Sequence, residues 1–360
     1  MKKRVVVALS GGVDSSVAAA LLQEQGYEVV GITMCFSLAG SQRRKPSCCS
    51  LQGIDDARSI AHRLGIRHYV LNMQKALAEK VIDDFCREYS KGRTPNPCVR
   101  CNQYIKFGAL LKKALSLGAQ YLATGHYARI VKVSGPGPGA RIYVLKKGKD
   151  KKKDQSYFLY RLDQFQLKHV LFPVGGYTKD EVRALAKKFS LPVADKQASQ
   201  EICFLPQDDY RQFLASRLKL SVRPGLVKDI KGNILGRHKG VAFYTIGQRE
   251  GLGIAAGYPI YITRLDHRRN LVIVGDKKEA CKKEFIIKDI FWSHQPPKKK
   301  IALNLKIRYN HKERMAQLKP FGSKFKAAFR RAQFAITPGQ SAVFYDKDKV
   351  LGGGIIDEVL

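Results

Sequence analysis

The sequence contains no apolar run long enough for a membrane-spanning helix and no recognisable leader. Its apolar stretches stay below the ~18 residues that a membrane span requires. A predicted strand begins within three residues of Met1, where a secretory signal would instead carry its apolar segment. These absences predict a cytoplasmic protein without a membrane partner. In that compartment the eight cysteines favour reduced thiols with metal or catalytic roles over a disulfide framework.

Acidic residues are scarce relative to basic ones. The 360 residues include 30 Asp and Glu against 65 Lys and Arg, which gives a net charge of +35. This imbalance favours a polyanionic partner such as a nucleic acid, because lysine and arginine release counterions when they neutralise phosphates. The chain is too long for one ordinary core, so two or three domains are expected.

A glycine-rich turn follows the first predicted strand, and it lacks the residues of the commonest phosphate motifs. The strand runs from Arg4 to Leu9, the turn reads Ser10-Gly11-Gly12-Val13-Asp14-Ser15, and a helical stretch continues to Gln25. No Gly-Lys-Ser/Thr ends the turn, which excludes a Walker A loop, and the third glycine of a dinucleotide fingerprint is missing. A strand, a glycine turn and a helix still present backbone N–H groups to an anion. We therefore predict a phosphate-binding loop.

Strands and helices alternate through the first 130 residues. Apolar segments at 29–34, 67–71 and 120–124 predict parallel strands, and helical spacing is found at 54–64, 75–89 and 105–117. This order predicts a doubly wound α/β parallel sheet, in which ligands bind beyond the carboxyl ends of the strands. The glycine turn, Met34 and Gly125 all fall at such ends.

The rest of the chain predicts two smaller domains. Residues 127–133 and 141–145 flank a Gly-Pro-rich tip and predict a hairpin, and helices are expected at 179–189 and near 208–218. A Pro-Gly pair at 224–225 suggests a boundary, and the following residues are rich in glycine. Short strands at 285–291, 301–309, 315–318, 324–329, 341–345 and 350–356 predict a small antiparallel barrel or sandwich. We expect domains at 1–220, 221–280 and 281–360.

The cysteines lack the spacing of a zinc site. Cys98 and Cys101 form a Cys-x-x-Cys, but a second ligand pair is missing, since Cys48 and Cys49 are adjacent and no His-x₃₋₅-His is present. Pro95 and Pro97 disfavour helix, so we predict that both cysteines lie on a rigid loop ahead of the helix from Ile105.

Charge and sequence context bear on the reactivity of the thiols. Arg93 and Arg100 stand near Cys98 and Cys101 and are expected to favour the thiolate form. Cys203 stands between apolar residues, which alone is typical of a buried core cysteine.

Seven segments occur in the order and spacing of the tRNA-specific 2-thiouridylases, and the chain resembles that family over essentially its whole length. They are SGGVDS, GRTPNPCVRCN-x₃-KF, ATGHYAR, KDQSYFL, ICF, FYTIGQREGLGI and TPGQSAVFYD. The resemblance implies an ATP pyrophosphatase domain of the adenine nucleotide α-hydrolase-like fold, a small central tRNA-contacting domain and a C-terminal antiparallel β-barrel. It implies a tRNA-uridine 2-sulfurtransferase, which adenylates O2 of the wobble uridine and replaces it with sulfur, releasing AMP and pyrophosphate.

The resemblance also implies roles for individual residues. Cys101 would be the nucleophile or resolving thiol and Cys203 the carrier of a persulfide, which leaves a Cys101–Cys203 disulfide. The ATP-binding residues would be Ala8, Leu9, Ser10, Gly11, Gly12, Val13, Asp14, Ser15, Met34 and Gly125. The target base would meet Asn96, Pro97 and Cys98. The tRNA contacts would be His126, Lys153, Asp154, Gln155, Arg308, Tyr309 and Gln340.

Cofactors and partners follow from the same resemblance. ATP and Mg²⁺ are expected, with Asp14 as the one candidate acidic ligand of the metal. The partners are tRNA and a sulfur donor, either a cysteine desulfurase or a sulfur-relay protein.

One residue departs from the family pattern and leaves two mechanisms open. Many members carry Asp at the position of Cys98. Here three cysteines, Cys98, Cys101 and Cys203, are candidate ligands of a [4Fe–4S] cluster, which is the alternative to a persulfide relay. Two other functions also stay open: an amide-forming synthetase of the same pyrophosphatase class and a non-catalytic RNA-binding protein. The remaining cysteines, Cys35, Cys48, Cys49, Cys86 and Cys281, are expected to be structural.

Overall fold

The computed structural model describes residues 2–36, 51–135, 137, 139–196, 202–205, 209–218, 223–254, 256–294, 296–297 and 299–360. The chain divides into two compact units: unit 1 takes residues 1–81, 98–208 and 348–350, and unit 2 takes 82–97, 209–347 and 351–360. Within the described ranges, no helix is long and apolar enough to cross a membrane. Cys48 and Cys49, which we expect to be structural, lie outside the described residues.

Five parallel strands form the sheet of unit 1. The sheet strands are β1 (Arg4–Ala8), β2 (Glu28–Cys35), β3 (Arg67–Asn72), β4 (Tyr121–Ala123) and β7 (Val170–Leu171). Between β4 and β7 the chain forms an antiparallel hairpin of β5 (Ala128–Ser134) and β6 (Arg141–Lys147). The sheet order is β3-β2-β1-β4-β7, with every pair parallel. The strand order therefore reverses beside β1, and the carboxyl ends of β1 and β4 form the switch point at which ligands bind in such sheets.

The helices connect these strands in the predicted order. They are α1 (Val13–Glu24), α2 (Leu51–Leu64), α3 (Gln74–Leu77), α4 (Asp83–Ser90), α5 (Pro97–Arg100), α6 (Leu111–Ser116), α7 (Gln164–Lys168) and α8 (Lys179–Lys188). Two π-helical segments, Ala78–Ile82 and Cys101–Leu110, join α3 to α4 and α5 to α6. The doubly wound α/β prediction is confirmed. The strand β7 has no counterpart in the prediction, because two residues are too few to produce a periodic pattern.

Helix α1 lies in the centre of unit 1. Ala19 and Leu22 pack into a cluster with Val5 and Val7 of β1. Val17, on another face of the helix, packs into a second cluster with residues of α8. Because both faces are buried, the helix shows little amphipathic pattern, and its N-terminus is held rigidly beyond the end of β1.

The prediction of a loop around Cys98 and Cys101 is wrong. The helix begins at Pro97, so Cys98 lies in α5 and Cys101 opens the π-helical segment. A proline at the first helical position has the φ angle that the helix needs, and its missing N–H would have no helical partner there. The proline therefore sets the start of the helix, while Asn96 before it stays non-helical.

Unit 2 contains a four-stranded sheet and a closed barrel. The sheet follows α9 (Tyr210–Arg217) and consists of β8 (Gly225–Asp229), β9 (Ile234–His238), β10 (Tyr261–Asp266) and β11 (Leu271–Gly275), in the order β10-β11-β8-β9. The barrel strands are β12 (Cys281–Trp292), β13 (Ile301–Lys306), β14 (Arg314–Phe321), β15 (Lys324–Phe334), β16 (Ser341–Asp346) and β17 (Lys349–Val359). Their order is β12-β15-β14-β13-β16-β17, and β12 pairs with β17 to close the barrel. The predicted antiparallel barrel is confirmed.

Candidate nucleotide and thiol site

Local hydrogen bonds fix the conformation of the glycine turn after β1. The backbone N–H of Ser10 donates to Oγ of Ser15 at 3.2 Å, and that hydroxyl donates to the carbonyl of Gly12 at 3.0 Å. The hydroxyl of Ser16 donates to the same carbonyl at 2.8 Å. We call residues 8–15 the phosphate loop. These bonds hold it at the start of α1, where the helix presents its N–H groups.

Its two glycines serve different purposes. Gly11 has φ +69°, and a Cβ there would clash with the Gly53 carbonyl and come within 2.9 Å of Cβ of Asp56. The fold itself therefore requires glycine at position 11. Gly12 has φ −108° and ψ 159°, which any residue adopts, and a Cβ there would meet only Ser10 Oγ at 3.4 Å among the described residues. The absence of a side chain at position 12 thus leaves space that the described residues do not fill.

Met34 and Gly125, the other residues predicted to bind the nucleotide, lie at the ends of the strands beside the loop. Gly125 follows β4, and a Cβ there would come within 2.6 Å of the carbonyl carbon of Asp14 and the N atom of Ser15. Its glycine lets the end of β4 reach the start of α1. Met34 is half-buried near the carboxyl end of β2, the strand that pairs with β1. The structure therefore gathers these residues at the carboxyl ends of three adjacent strands.

Asp14 is held by two donors from distant parts of unit 1. Its Oδ1 accepts a hydrogen bond from Tyr127 Oη at 2.7 Å and one from Lys179 Nζ at 2.6 Å. Burial and the Asp14 charge raise the pKa of Tyr127, so the phenol stays protonated and donates.

A second lysine contacts the phosphate loop. Lys196 Nζ donates to the carbonyl of Gly11 at 3.0 Å and forms an ion pair with Asp56 of α2. Neither Lys179 nor Lys196 is among the sequence-predicted site residues. The 165 and 185 positions that separate them from their loop partners leave no spacing signal.

The sequence-predicted thiols all belong to unit 1. Cys98 is exposed, Cys203 is half-buried and Cys101 is 8% exposed. Cys98 and Cys101 are three residues apart on the same helical segment, so they lie on one face of it. Next to Cys101, Asn102 is 3% exposed and donates from Nδ2 to the carbonyl of Phe158 at 3.2 Å.

The thiols do not fit an iron–sulfur cluster. Over the described ranges, no group of three or more His, Cys, Asp and Glu side chains is arranged to hold a metal ion. Cys98, Cys101 and Cys203 are all within those ranges, so the arrangement of these cysteines gives no support to the alternative of a [4Fe–4S] cluster.

Three models of known protein families match successive parts of this chain. They are the tRNA methyl transferase HUP domain over residues 3–207, the tRNA methyl transferase PRC-barrel domain over 211–276, and the aminomethyltransferase beta-barrel domain over 282–356. A solved 4-thiouridine synthetase in complex with RNA and ATP aligns with a TM-score of 0.37 and 17% identity, over 61% of this chain and 51% of that one.

Curated relatives match along the full length. The tRNA-specific 2-thiouridylase MnmA 1 of Caldanaerobacter subterraneus subsp. tengcongensis is 52% identical over 363 residues, 99% of each chain. The tRNA-specific 2-thiouridylase MnmA of Halothermothrix orenii is 51% identical over 361 residues, again 99% of each. This chain belongs to the tRNA-specific 2-thiouridylases. The resemblance inferred from the seven motifs is confirmed.

In this member of the 2-thiouridylases, several expected tRNA-contact residues of unit 1 point into the protein. His126 is 8% exposed, shares a hydrogen bond of 2.6 Å with Oγ1 of Thr124, and burial lowers its pKa well below the ordinary value. Asp154 is 7% exposed and accepts bonds from the backbone N–H groups of Gly148 and Ser156. Both side chains are therefore buried and hydrogen-bonded within the protein.

The other two residues of the Lys-Asp-Gln motif are less buried. Gln155 accepts from the N–H of Tyr127 through Oε1 at 2.9 Å. Lys153 is half-buried. Through Tyr127, Gln155 is linked to the same residue that holds Asp14.

In unit 2 the residues before the cysteine helix form a tightly bound segment, residues 93–96, which we call the Thr94 loop. The N–H of Thr94 donates to the carbonyl of Pro338 at 2.9 Å, and its carbonyl accepts from Nε2 of Gln340 at 3.0 Å. Its hydroxyl lies 3.1 Å from the hydroxyl of Thr245. Asn96 is half-buried and Pro97 is buried.

Arg93 and Arg308 also bind within unit 2. Arg93 donates to Glu88 Oε2 at 2.7 Å and to the carbonyls of Ile356 and Asp357 at 2.9 Å each. These bonds fix the position of Arg93, and its effect on the thiols stays a prediction. Arg308 donates to the carbonyl of Ile246 at 2.8 Å.

Tyr309 lies next to Arg308 and differs from it. The ring is half-buried, and Lys306 Nζ lies 5.3 Å from its centroid. This pairing of a cation with an aromatic ring suits stacking on a base.

Proposed function

We propose that this protein is an ATP-dependent tRNA 2-thiouridylase. It would adenylate O2 of the wobble uridine of specific tRNAs and replace that oxygen with sulfur, releasing AMP and pyrophosphate. The proposal depends on one observation above the others: relatives named for this activity are about half identical over 99% of both chains. The net charge of +35 fits a tRNA substrate.

The phosphate loop supports the first half of the reaction. Its N–H groups and the space above Gly12 suit the phosphates of ATP, and the loop has no Walker lysine, which fits cleavage between the α and β phosphates. The C2 carbonyl of uracil is a poor electrophile because oxide is a poor leaving group. Attack of O2 on the α phosphate expels pyrophosphate and converts the oxygen into part of AMP.

The thiols support the second half. A persulfide on Cys203 would attack C2 through its terminal sulfur, and AMP would leave. The Cys101 thiolate would then attack Sγ of Cys203, which forms a Cys101–Cys203 disulfide and releases the 2-thiouridine sulfur. A dithiol reductant would supply the two electrons that restore both thiols. The proposal follows the persulfide relay, and no step is routed through iron.

We extend the proposal to the remaining residues and partners. Ala8 to Ser15, Met34 and Gly125 would bind ATP, and Asn96, Pro97 and Cys98 would meet the target base. Lys153 and Tyr309 would contact tRNA directly. His126, Asp154 and Gln155 would support the tRNA-contacting residues of unit 1, and Arg308 and Gln340 would do the same within unit 2, through their bonds inside the protein. Mg²⁺, a desulfurase or relay protein as sulfur donor, a cytoplasmic location and domains at 1–220, 221–280 and 281–360 complete the proposal.

A thiolation assay tests it. The purified protein is incubated with ATP, Mg²⁺, tRNA, a cysteine desulfurase with cysteine as the source of persulfide sulfur, and a dithiol reductant, and the nucleosides are analysed by mass spectrometry. We expect 2-thiouridine together with AMP and pyrophosphate. ADP as the main nucleotide product, or no thiolated nucleoside, would contradict the proposal.

Single substitutions assign the thiols. Cys101→Ala and Cys203→Ala should each abolish thiolation and leave ATP binding intact, because alanine removes the sulfur and little volume. Cys281→Ala, in β12, is the matched control and should keep full activity. Activity that survives the loss of Cys101 or Cys203 would overturn the assignment.

A further inference from the structure

The phosphate loop contains no lysine. The ammonium group of Lys179, 165 positions further along the chain, bonds to its residue Asp14. Lys179 is only 9% exposed. Its ammonium group lies 2.6 Å from Asp14 Oδ1 and 6.0 Å from the centroid of the Tyr127 ring. Burying an ammonium group is costly unless it is well paired. The chain nevertheless holds one beside the loop that is shaped for phosphate.

The backbone of Lys179 is fixed as firmly as its side chain. It is the first residue of α8, whose N-cap Thr178 and third residue Glu181 form a reciprocal capping box. The N–H of Lys179 donates to Oδ2 of Asp150 at 3.0 Å. Oδ1 of the same carboxylate accepts from the N–H of Lys152 at 2.9 Å. The ammonium position is therefore determined from both ends of the residue.

Asp14 is arranged to hold this lysine. Its Oδ1 already accepts from an ammonium group and a phenol, and both donors come from buried residues. A Mg²⁺ ligand would instead direct this charge at the metal.

We propose that Lys179 is the cation that binds the pyrophosphate part of ATP, and that Asp14 is a positioning residue that orients Lys179. This inference rests on the proposed function only in taking ATP as the substrate. An ammonium group has three protons. One is bonded to Asp14, which leaves others for phosphate oxygens as negative charge moves onto the departing pyrophosphate.

Nucleotide binding without tRNA tests the inference. Calorimetry gives the Kd values of ATP, AMP and inorganic pyrophosphate for wild type, Lys179→Met, Asp14→Asn and the double variant. We expect Lys179→Met to weaken ATP and pyrophosphate about 10- to 100-fold, the range of one charge-assisted hydrogen bond. AMP should change by less than about 3-fold, since it lacks the β and γ phosphates. Lys188→Met, on the exposed side of the same helix, is the control and should bind like wild type.

The double variant separates the two roles of Asp14. If Asp14 acts through Lys179, Asp14→Asn should add little once Lys179 is methionine. If Asp14 ligates Mg²⁺, the two losses should add, and Asp14→Asn alone should raise the Mg²⁺ concentration needed for half-maximal ATP binding. Additive losses, or equal weakening of ATP and AMP, would overturn the inference.

Further measurements keep the result interpretable. Thermal unfolding reports whether each variant is folded, and Lys179→Arg, which keeps the charge, should bind ATP more tightly than Lys179→Met. Equal affinities for these two variants would also count against the inference. Failure of wild type to thiolate tRNA in the separate assay would contradict the proposed function alone, because the binding experiment contains neither tRNA nor sulfur.

Discussion

The backbone of the phosphate loop in unit 1 is closed by hydrogen bonds between residues close in sequence, and distant lysines add to them. Thr94 in the Thr94 loop of unit 2 is instead bonded by residues far from it in sequence. Ser10, Gly12 and Ser15 close the first loop over separations of three to five positions. Thr94 binds Thr245 and Gln340, which are 151 and 246 positions away. The neighbouring Arg93 reaches Asp357 over 264 positions.

This difference separates two ways of building a rigid loop. A loop with local bonds forms as soon as its strand and helix form. Because its bonding residues are contiguous, the loop can be recognised in the sequence as a motif. A loop with distant partners is rigid only when the whole of its unit has folded. We therefore expect substitutions in the phosphate loop to affect ligand binding most, and substitutions around the Thr94 loop to affect stability and tRNA thiolation together.

The largest effect is expected from Gly12→Val. The backbone at this position suits any residue, so the variant should fold with a melting temperature close to that of wild type. Its side chain would occupy the space above the loop, and ATP affinity should fall by at least about 100-fold, the equivalent of two lost charge-assisted hydrogen bonds. Gly11→Ala is the counterpart and should lower stability, because of its positive φ and the clash with Gly53. Normal ATP binding by Gly12→Val would remove the contrast between the two glycines.

The next effect is expected from Arg93→Met. The arginine side chain is 14% exposed and pairs with Glu88 and Asp357, so its loss should lower the free energy of unfolding by about 3 kcal/mol. Urea denaturation measures this change. Arg87→Met, which removes an exposed pair with Asp84, should cost less than about 1 kcal/mol.

The ligand-binding side of the same variant sharpens the comparison. Folded Arg93→Met should bind ATP like wild type and thiolate tRNA more slowly, because only the Thr94 loop loses its support. A parallel loss of ATP affinity would show that the two loops are not independent.

A smaller effect is expected from pH, through Asp357. Burial raises the pKa of this carboxyl, but hydrogen bonds and charges from Lys288 and Lys324 outweigh burial and hold the pKa at about 2, below the ordinary 3.8. Between these values the unfolded chain binds more protons than the folded one, so this contribution to stability is complete above about pH 4 and is lost as the pH falls through about 2. Urea denaturation of wild type and Asp357→Asn at pH 5 and pH 2.5 should show a gap that narrows at the lower pH. A constant gap would mean that the Asp357 charge does not contribute.

The smallest effect is expected from Gln340→Ala. This change removes one neutral hydrogen bond to the carbonyl of Thr94, which should cost about 1 kcal/mol. Gln333→Ala, at an exposed side chain that bonds only to neighbouring carbonyls, should be close to neutral. If Gln340 contacts tRNA and does not hold the loop, its loss should weaken tRNA binding without changing the unfolding free energy.

The same local and distant distinction explains how much the sequence could predict. The parallel sheet, the barrel and the order of strand, glycine turn and helix around the phosphate loop depend on periodicity and on contiguous residues, and all three were predictable. The helix start at Pro97 was not, because the same proline both breaks a helix interior and opens a helix, and only the packed structure decides between these effects. The contacts of Lys179 and Lys196 with the phosphate loop could not be predicted either. In the sequence, a lysine more than 160 positions from its partner looks like any surface lysine.

The bond between Lys196 and the carbonyl of Gly11 limits how far Cys203, the proposed sulfur carrier, can move from the phosphate loop. Cys203 follows Lys196 by seven positions, and a fully extended chain over seven positions spans about 25 Å at most. Whatever path the intervening residues take, the Cα of Cys203 cannot move farther than that from a residue anchored at the phosphate loop. A tether of this length corresponds to an effective concentration in the millimolar range. In the proposed mechanism, the anchor therefore keeps the sulfur on Cys203 at a high effective concentration near the phosphate loop.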